Sequence, residues 1–363
     1  MRPLVAIQVI AYWRPDAHDD LEACRRSIEA LDYPKDRLRV VMVDNPSPHG
    51  SALPYLQEVW MPRAGKELPE ITLVPQENNT GFAGGHEHGL AAARTLDADF
   101  LYLLNQDAYF DPRAITEAVA YAEAHPNAAL IQSRVMLAQE PDKLNSLGNA
   151  LQLFGFGYAI GEGQTPEEAA KDTTPVFYAS GAAVMVRLAA LPTIGGMFDP
   201  RYFLYHEDTD LSWRVRLAGF DIGYADRSVA YHRYEFKRSI TKFYWMERNR
   251  WVVMCSNLKA GTLALLLPPM ILMEAATFVF AARSGWGKEK LRVWGFLLRP
   301  STWAWVRERR ALQRRVRRVP DRDLLRLMAH TVGSPSITTS LQRRLVDPLL
   351  LAFKRFILFV VRW

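Results

Sequence analysis

Through its first 130 residues the chain switches repeatedly between two hydrophobic periods, and this alternation constrains the fold more than any other feature. Leu4–Ala11, Leu38–Val43, Ile71–Val74, Phe100–Leu104 and Ala129–Ile131 are short apolar runs, several rich in β-branched residues. Such runs are typical of strands buried on both faces. Between them, His18–Leu31, Gly85–Leu96 and Arg113–Ala124 carry apolar residues at helical spacing. The β-α-β-α order predicts an α/β fold with a mostly parallel sheet flanked by helices. In such sheets ligands bind outside the carboxyl ends of the strands, so the residues following each strand are the first place to look for chemistry.

Three consecutive strand ends carry polar or glycine-rich segments. Val43 leads into Asp44-Asn45-Pro46-Ser47-Pro48-His49-Gly50-Ser51, Val74 precedes Asn79-Thr80-Gly81-Phe82-Ala83-Gly84-Gly85, and Leu104 leads into Asn105-Gln106-Asp107. The glycine loop could cradle a phosphate at a helix start or allow close helix–strand packing. Its spacing matches neither the dinucleotide-binding nor the P-loop pattern. A carboxylate at Asp107 could hold Mg²⁺ or Mn²⁺, hard cations that take oxygen ligands. An Asp ending a strand is more commonly a turn or cap residue, so a second ligand is needed, and His232 at the end of a later strand could supply it. A packed core histidine is the alternative there.

Further along, 140–175 is irregular and glycine-containing, a surface excursion or hairpin able to meet an acceptor. Val176–Tyr178 and Ala183–Arg187 read as strands flanking Ser180-Gly181. Glu207–Ala218 reads as a helix opening on Glu207, Asp208 and Asp210, closed by Gly219. Acids at a helix start suit the dipole, with Glu207 and Arg214 sharing an exposed face, but that accounts for one acid better than three. A carboxylate at this corner could serve as a general base. Ile222–Tyr224 and Ser228–Tyr231 read as two strands, and from Ile240 the pattern turns helical.

Charge is unevenly placed. The 363-residue chain is +6, yet residues 283–320 hold twelve Lys/Arg against two acids and residues 321–363 hold seven against three. The first 282 residues are therefore net negative. A basic tail seeks phosphate, as anionic lipid or nucleic acid. Its Trp and Leu residues and the apolar stretches at 258–282 and 348–363 favour a membrane interface. Pro268-Pro269 argue against a straight spanning helix at 258–282 and for a bent or re-entrant interfacial segment. An acidic crevice would repel a polyanion, so nucleic-acid binding is the weaker alternative and no nucleic-acid partner is expected. Cys24 and Cys255 make no disulfide framework, no leader is read at the N-terminus, and a reduced, cytosolic setting is expected.

The ordered set of motifs resembles the family 2 inverting glycosyltransferases, and within them a rhamnosyl- and galactofuranosyl-transferase-like branch. The set runs Asp44-Asn45-x-Ser47-x-x-Gly50-Ser51, Asn79-x-Gly81-Phe82-Ala83-Gly84-Gly85-x-x-x-Gly89, Leu104-Asn105-x-Asp107, Ser180-Gly181-Ala182, then Phe198-Asp199-x-x-Tyr202-Phe203-x-x-x-Glu207-Asp208-x-Asp210-Leu211-x-x-Arg214 through to Gly219, with Glu247-Arg248-Asn249 beyond. It covers about residues 4–255. Asn105 stands where a full D-x-D has its first Asp, His86 and Glu87 where asparagines are usual, and His49 where an Asp is common.

The resemblance implies a GT-A fold over 1–255, followed by a helical, basic and apolar membrane-associating region over 256–363. It implies a nucleotide-diphospho-sugar donor, dTDP- or UDP-linked, bound by Asp44, Asn45, Asn79, Gly81, Gly85 and Asn105. Asp208 would be the catalytic base, and Asp107 with His232 would hold Mg²⁺ or Mn²⁺. The expected reaction is inverting, metal-dependent transfer of a sugar to a hydroxyl of a lipid-linked or cell-envelope glycan at the cytoplasmic face of a bacterial inner membrane. Rhamnose from dTDP-rhamnose is the first reading, and galactofuranose or another hexose from a UDP-sugar the alternative. Self-association is left open.

Overall fold

The structure is a computed structural model describing residues 2–234, 242–331, 344 and 346–363. The expected alternation is present as β1 (Val5–Ala11), α1 (Ala17–Glu29), β2 (Leu38–Asp44), β3 (Glu70–Pro75), α2 (Gly81–Arg94), β4 (Phe100–Asn105), β5 (Ala108–Phe110), α3 (Ala114–Ala124) and β6 (Ala128–Leu137). After β6 come β7 (Leu144–Ser146), β8 (Asn149–Leu151), β9 (Gly157–Ala159), β10 (Ala183–Arg187), α4 (Glu207–Leu217) and β11 (Asp221–His232). The main sheet has the order β3-β2-β1-β4-β10-β6-β11-β5, with β7 on β6. β1, β2, β3 and β4 are mutually parallel, as are β6 and β11, whereas β10 runs antiparallel between β4 and β6. Register places Ala11 beside Asp44 and Ile10 beside Asn105, so the ends of three parallel strands share one edge. β1 is buried along its whole length, as expected of a strand covered on both faces.

Several expectations shift. The glycine-loop helix starts at Gly81 rather than Gly85. Val176–Tyr178 is not a strand, and Tyr178 makes only an isolated bridge to Asn149. The two strands expected after Gly219 are one strand whose register slips between Ala225 and Val229, with Asp226 and Arg227 exposed in the irregularity. Residues 140–175 do contain the β8–β9 hairpin, but it is no loose surface excursion, because Leu151, Leu153 and Phe154 are buried in the core. Ile240 lies outside the described residues, and the helix that follows is described over Phe243–Asn257.

The C-terminal region is helical: α5 (Phe243–Asn257), α6 (Ala260–Arg283), α7 (Gly287–Leu297), α8 (Pro300–Val316), α9 (Asp321–Leu327) and α10 (Asp347–Val360). α6 runs unbroken through Pro268 and Pro269, so the re-entrant alternative falls. It is 24 residues long with mean hydropathy 2.0 over its most apolar stretch, and mostly exposed. Its one acid, Glu274, accepts from Arg250, Trp251 Nε1 and Trp294 Nε1, and pairs with Lys290. Lys290 and Arg250 also pair with Glu247. A buried group of two cations and two acids thus ties α5, α6 and α7 together, each charge satisfied by the others.

This corrects the picture of a uniformly free basic tail. Lys290 and Arg309 are buried, Arg309 on Asp210 and Lys290 in the group just described. Arg310 donates to the carbonyls of Cys255 and Leu258, and Arg317 to Asp321 and the Asn257 carbonyl. Trp294 and Trp305 also spend their N–H groups internally, on Glu274 and Asp199. Arg283, Lys288, Arg292, Arg299, Arg307, Arg314, Arg315 and Arg318 remain exposed.

Candidate active site

The strand β5 follows Asp107 directly and pairs antiparallel with β11, His232 lying opposite Ala108. That pairing brings His232 Nε2 to 3.3 Å from Asp107 Oδ1 and to 3.3 Å from Asn105 Nδ2. On the other side of the ring, Nδ1 donates to Asn145 Oδ1 at 3.0 Å. This is the outer-shell arrangement that orients a ligating histidine and leaves Nε2 available. Burial pushes the Asp107 carboxyl up, but His232 and Arg14 outweigh it, so the group stays below its usual range. Arg14 lies 3.8 Å from Asp107 and 2.5 Å from Asp20, which also takes Arg233.

A carboxylate oxygen and a fixed imidazole nitrogen facing each other could both reach one divalent cation. Among the described residues no group of three or more His, Cys, Asp or Glu is placed to hold a metal ion. Two protein ligands with the remaining positions open is how such ions are held when substrate phosphates complete the sphere.

The three acids of α4 have three separate fates. Asp210 is fully buried and takes Arg214 at 2.9 Å, Arg309, Asn257 and the Tyr202 hydroxyl. Arg214 pairs with Asp210 rather than Glu207 and is itself buried, so the exposed Glu207–Arg214 face does not exist. Glu207 is buried, its Oε2 without a hydrogen bond, and burial raises its carboxyl well above the usual range, Asp208 adding to this. Only Asp208 is half-exposed. Its Oδ2 accepts the Gly181 N–H at 3.3 Å and its Oδ1 the Thr209 N–H at 2.7 Å. Burial pushes it up to about 6, against the lowering effect of those N–H groups. A carboxylate titrating there is ionised at neutral pH and basic enough to take a hydroxyl proton.

Asn45, Asn79 and Gly81 form one connected unit. Asn45 Nδ2 donates to Asn79 Oδ1 and the Gly81 carbonyl, each at 3.2 Å, and Asn79 Oδ1 accepts the Gly81 N–H at 2.8 Å. Gly81 has φ +71, and a Cβ there would meet the Phe203 carbonyl at 2.4 Å. Gly85 answers to packing: a Cβ would stand 2.9 Å from Ile10 Cδ1 of β1, so the close helix–strand contact accounts for it. Asp44 is buried, with Oδ2 on Ser51 Oγ at 2.6 Å and Oδ1 on the Ala52 N–H at 2.8 Å. Its carboxylate holds the β2 loop, and a nucleoside contact would have to displace Ser51. His86, at one of the departing positions, is buried against Phe82 and Phe198, and burial lowers it to about 3.

Sequence reasoning missed Arg14 and Asn145. Arg14 follows the end of β1, an overlooked member of the strand-end set, and could have been found by the same rule. Asn145 lies in the irregular stretch, where nothing local marks it.

The Glycosyltransferase like family 2 profile matches residues 3–253. The rhamnosyltransferase WbbL of Escherichia coli K12 is 25% identical over 179 residues, 46% of this chain and 66% of WbbL. The N-acetylglucosaminyl-diphospho-decaprenol L-rhamnosyltransferase of Mycobacterium tuberculosis is 26% identical over 230 residues, 57% of this chain and 70% of that protein. Glucomannan 4-beta-mannosyltransferase 2 of Arabidopsis thaliana is 24% identical over 227 residues, 61% of this chain; the match spans only 39% of the plant protein's length. Among solved structures, the mannosyltransferase PcManGT of Pyrobaculum calidifontis, in complex with GDP-Man and Mn²⁺, superposes with a TM-score of 0.51 at 16% identity, covering 87% of this chain and 86% of PcManGT. GalNAc-T7, with UDP, GalNAc and Mn²⁺, gives the same TM-score at 12% identity over 69% of this chain and 47% of GalNAc-T7. The fold is GT-A, and the chain belongs to glycosyltransferase family 2.

Proposed function

We propose that this glycosyltransferase moves a sugar from a nucleotide-diphospho-sugar to a hydroxyl of a lipid-linked or cell-envelope glycan, with inversion at the anomeric carbon. The observation that carries the reading is Asp208, a half-exposed carboxylate held by Gly181 and Thr209 and raised to about 6. In a single in-line displacement Asp208 takes the acceptor hydroxyl proton as the new glycosidic bond forms and the bond to the diphosphate breaks. Asp107 and His232 would hold Mg²⁺ or Mn²⁺, which when bound neutralises charge on the leaving diphosphate. Asn45, Asn79 and Gly81 shape the seat of the donor, with Asp44 and Ser51 bracing its nucleoside side and Asn105 steadying His232.

Rhamnose from dTDP-rhamnose is the favoured donor, on the likeness to two rhamnosyltransferases, one of them acting on a diphospho-decaprenol. A mannosyl or other hexosyl donor is the second reading, on the likeness to the plant mannosyltransferases. The lipid-linked acceptor fits an exposed apolar row on α6, with Leu267, Ile271, Leu272, Val279 and Phe280, and on α10, with Leu349, Phe356 and Phe359. These faces would rest on the cytoplasmic surface of a bacterial inner membrane. The test is nucleotide release by the full chain from a panel of dTDP-rhamnose, UDP-galactofuranose, other UDP-hexoses and GDP-mannose, with Mn²⁺ or Mg²⁺ present. Release from dTDP-rhamnose alone supports the first reading, and release from GDP-mannose alone replaces it with the second. No release from any donor with a lipid extract as acceptor removes the proposal.

A further inference from the structure

The four residues Phe203-Leu204-Tyr205-His206, immediately before α4, hold three positive φ angles without a glycine: Phe203 at 62°, Tyr205 at 67° and His206 at 66°. Phe203, with ψ −58°, centres a γ-turn of the rare, strained hand, closed by the Leu204 N–H on the Tyr202 carbonyl at 2.7 Å. Bulky residues hold such angles only where their surroundings over-determine them, and such strain clusters at working sites. Here one turn of α5 supplies those surroundings. Asn249 Nδ2 lies 2.8 Å from the carbonyl of Tyr202, 2.9 Å from that of Leu204 and 2.7 Å from that of Tyr205. Arg248 donates to the carbonyls of Arg201 and Tyr202 at 2.6 and 3.0 Å. Trp245 stacks on the Phe203 ring, centroids 4.6 Å apart.

The turn has two working ends. At one, the Phe203 carbonyl accepts the N–H groups of Phe82 and Ala83, at 2.7 and 3.2 Å, and so caps the start of α2 beside Gly81. At the other, His206 opens the helix that carries Asp208, two residues later. We propose that Asn249 is a positioning residue, locking the 203–206 turn so that the donor loop at Gly81 and the base Asp208 are set as one rigid piece. The inference rests on the assignment of Asp208 as base. Asn249 itself touches neither substrate, since its amide is spent on three carbonyls.

The test compares wild type with Asn249→Ala, at a temperature where circular dichroism shows both folded, using the donor that the nucleotide-release panel identifies. The expected result is a fall in kcat of tenfold or more, with the acid limb of the kcat–pH profile moving from near pH 6 toward the ordinary carboxylate range as Asp208 gains solvent. A variant that only melts earlier, with kcat within twofold and an unmoved limb, overturns the proposal. Hydrogen exchange of the wild-type protein reads the same coupling without any reaction or substitution. The amides of Phe82, Ala83 and Leu204 should open together, within about threefold in protection, and should stay together when UDP or dTDP is added. Protection of Phe82 and Ala83 a hundredfold below that of Leu204 overturns the proposal, even if the donor panel finds no substrate or the variant does not fold.

Discussion

Arg309, in a helix of the basic C-terminal region, pairs with Asp210, two residues beyond Asp208 in the helix that carries the candidate base. Both are buried, and Arg214 shares the same carboxylate. The helices after residue 255 are thus part of what holds α4 in place. Breaking a buried ion pair from one side typically costs about 3–5 kcal/mol. Arg309→Met is expected near the lower end, because Arg214 remains on Asp210, and urea denaturation reads it directly. By the same reasoning a chain ended near Cys255 should not accumulate as folded protein. A cooperative melt and nucleotide binding by that fragment would show the C-terminal helices to be an appendage.

Asp208→Asn keeps size and removes the proton acceptor. Transfer should fall by roughly 10²–10⁴-fold, the usual contribution of a general base, while nucleotide binding measured by calorimetry changes by less than threefold. Activity above a tenth of wild type would take the base role away from Asp208.

The same carboxylate makes a stability prediction with a definite sign. Its folded value of about 6 lies above its ordinary 3.8, so between about pH 4 and 6 the folded chain keeps a proton the unfolded chain has lost. Stability is fully present below pH 4 and declines as pH rises through 6. The shift corresponds to about 3 kcal/mol at most. Asp208→Asn should therefore melt higher than wild type at pH 8 and no higher at pH 4. Equal melting temperatures at pH 8 would mean the carboxylate is not held in a desolvated seat.

Chelation should stop the reaction and Mn²⁺ or Mg²⁺ should restore it, with Asp107→Ala raising the metal requirement steeply. Asn145→Ala tests the orientation of His232 and should weaken metal affinity by roughly 10–100-fold, the range seen for outer-shell partners. Full turnover in excess EDTA would instead leave Arg14 and Arg233 to neutralise the leaving group.

The parallel half of the sheet was legible because β1, β2 and β4 are buried along most of their length and read as near-continuous apolar runs, interrupted only by Gln8 and Arg39 before their polar ends. Asp107, His232 and Asp208 were legible because each ends or begins an element, where backbone direction alone sends a side chain to the sheet edge. β5 was not, being three residues long, and without it the meeting of Asp107 with His232 could not be derived from spacing. Ala183–Arg187 was legible as a strand, but its antiparallel direction was not, because its pairing depends on where the 140–180 excursion returns, a long-range matter. The basic tail misled for a related reason: Lys290 and Arg309 look like any surface cation until Glu247, Glu274 and Asp210 are found opposite them.

Membrane binding is the prediction those buried cations most change. With Lys290, Arg309, Arg310 and Arg317 engaged inside, the electrostatic attraction rests on the exposed arginines and Lys288, each contributing about 1 kcal/mol near an anionic surface. The apolar contribution comes from the outward rows of α6 and α10, where Leu272, Leu349 and Phe359 are each at least 70% exposed. Such residues in water are unusual unless another surface covers them. Glu274 faces the opposite side of α6, on Arg250 and Lys290, so the helix can lie on a bilayer but not cross it without dragging that group into hydrocarbon. The full chain should therefore sediment with vesicles containing phosphatidylglycerol, and more weakly as salt rises. Leu272→Glu with Phe359→Glu should abolish sedimentation at physiological salt while leaving nucleotide binding within twofold. Sedimentation unaffected by both substitutions would place the contact elsewhere, and preferential retention on nucleic acid would return the basic face to the weaker alternative.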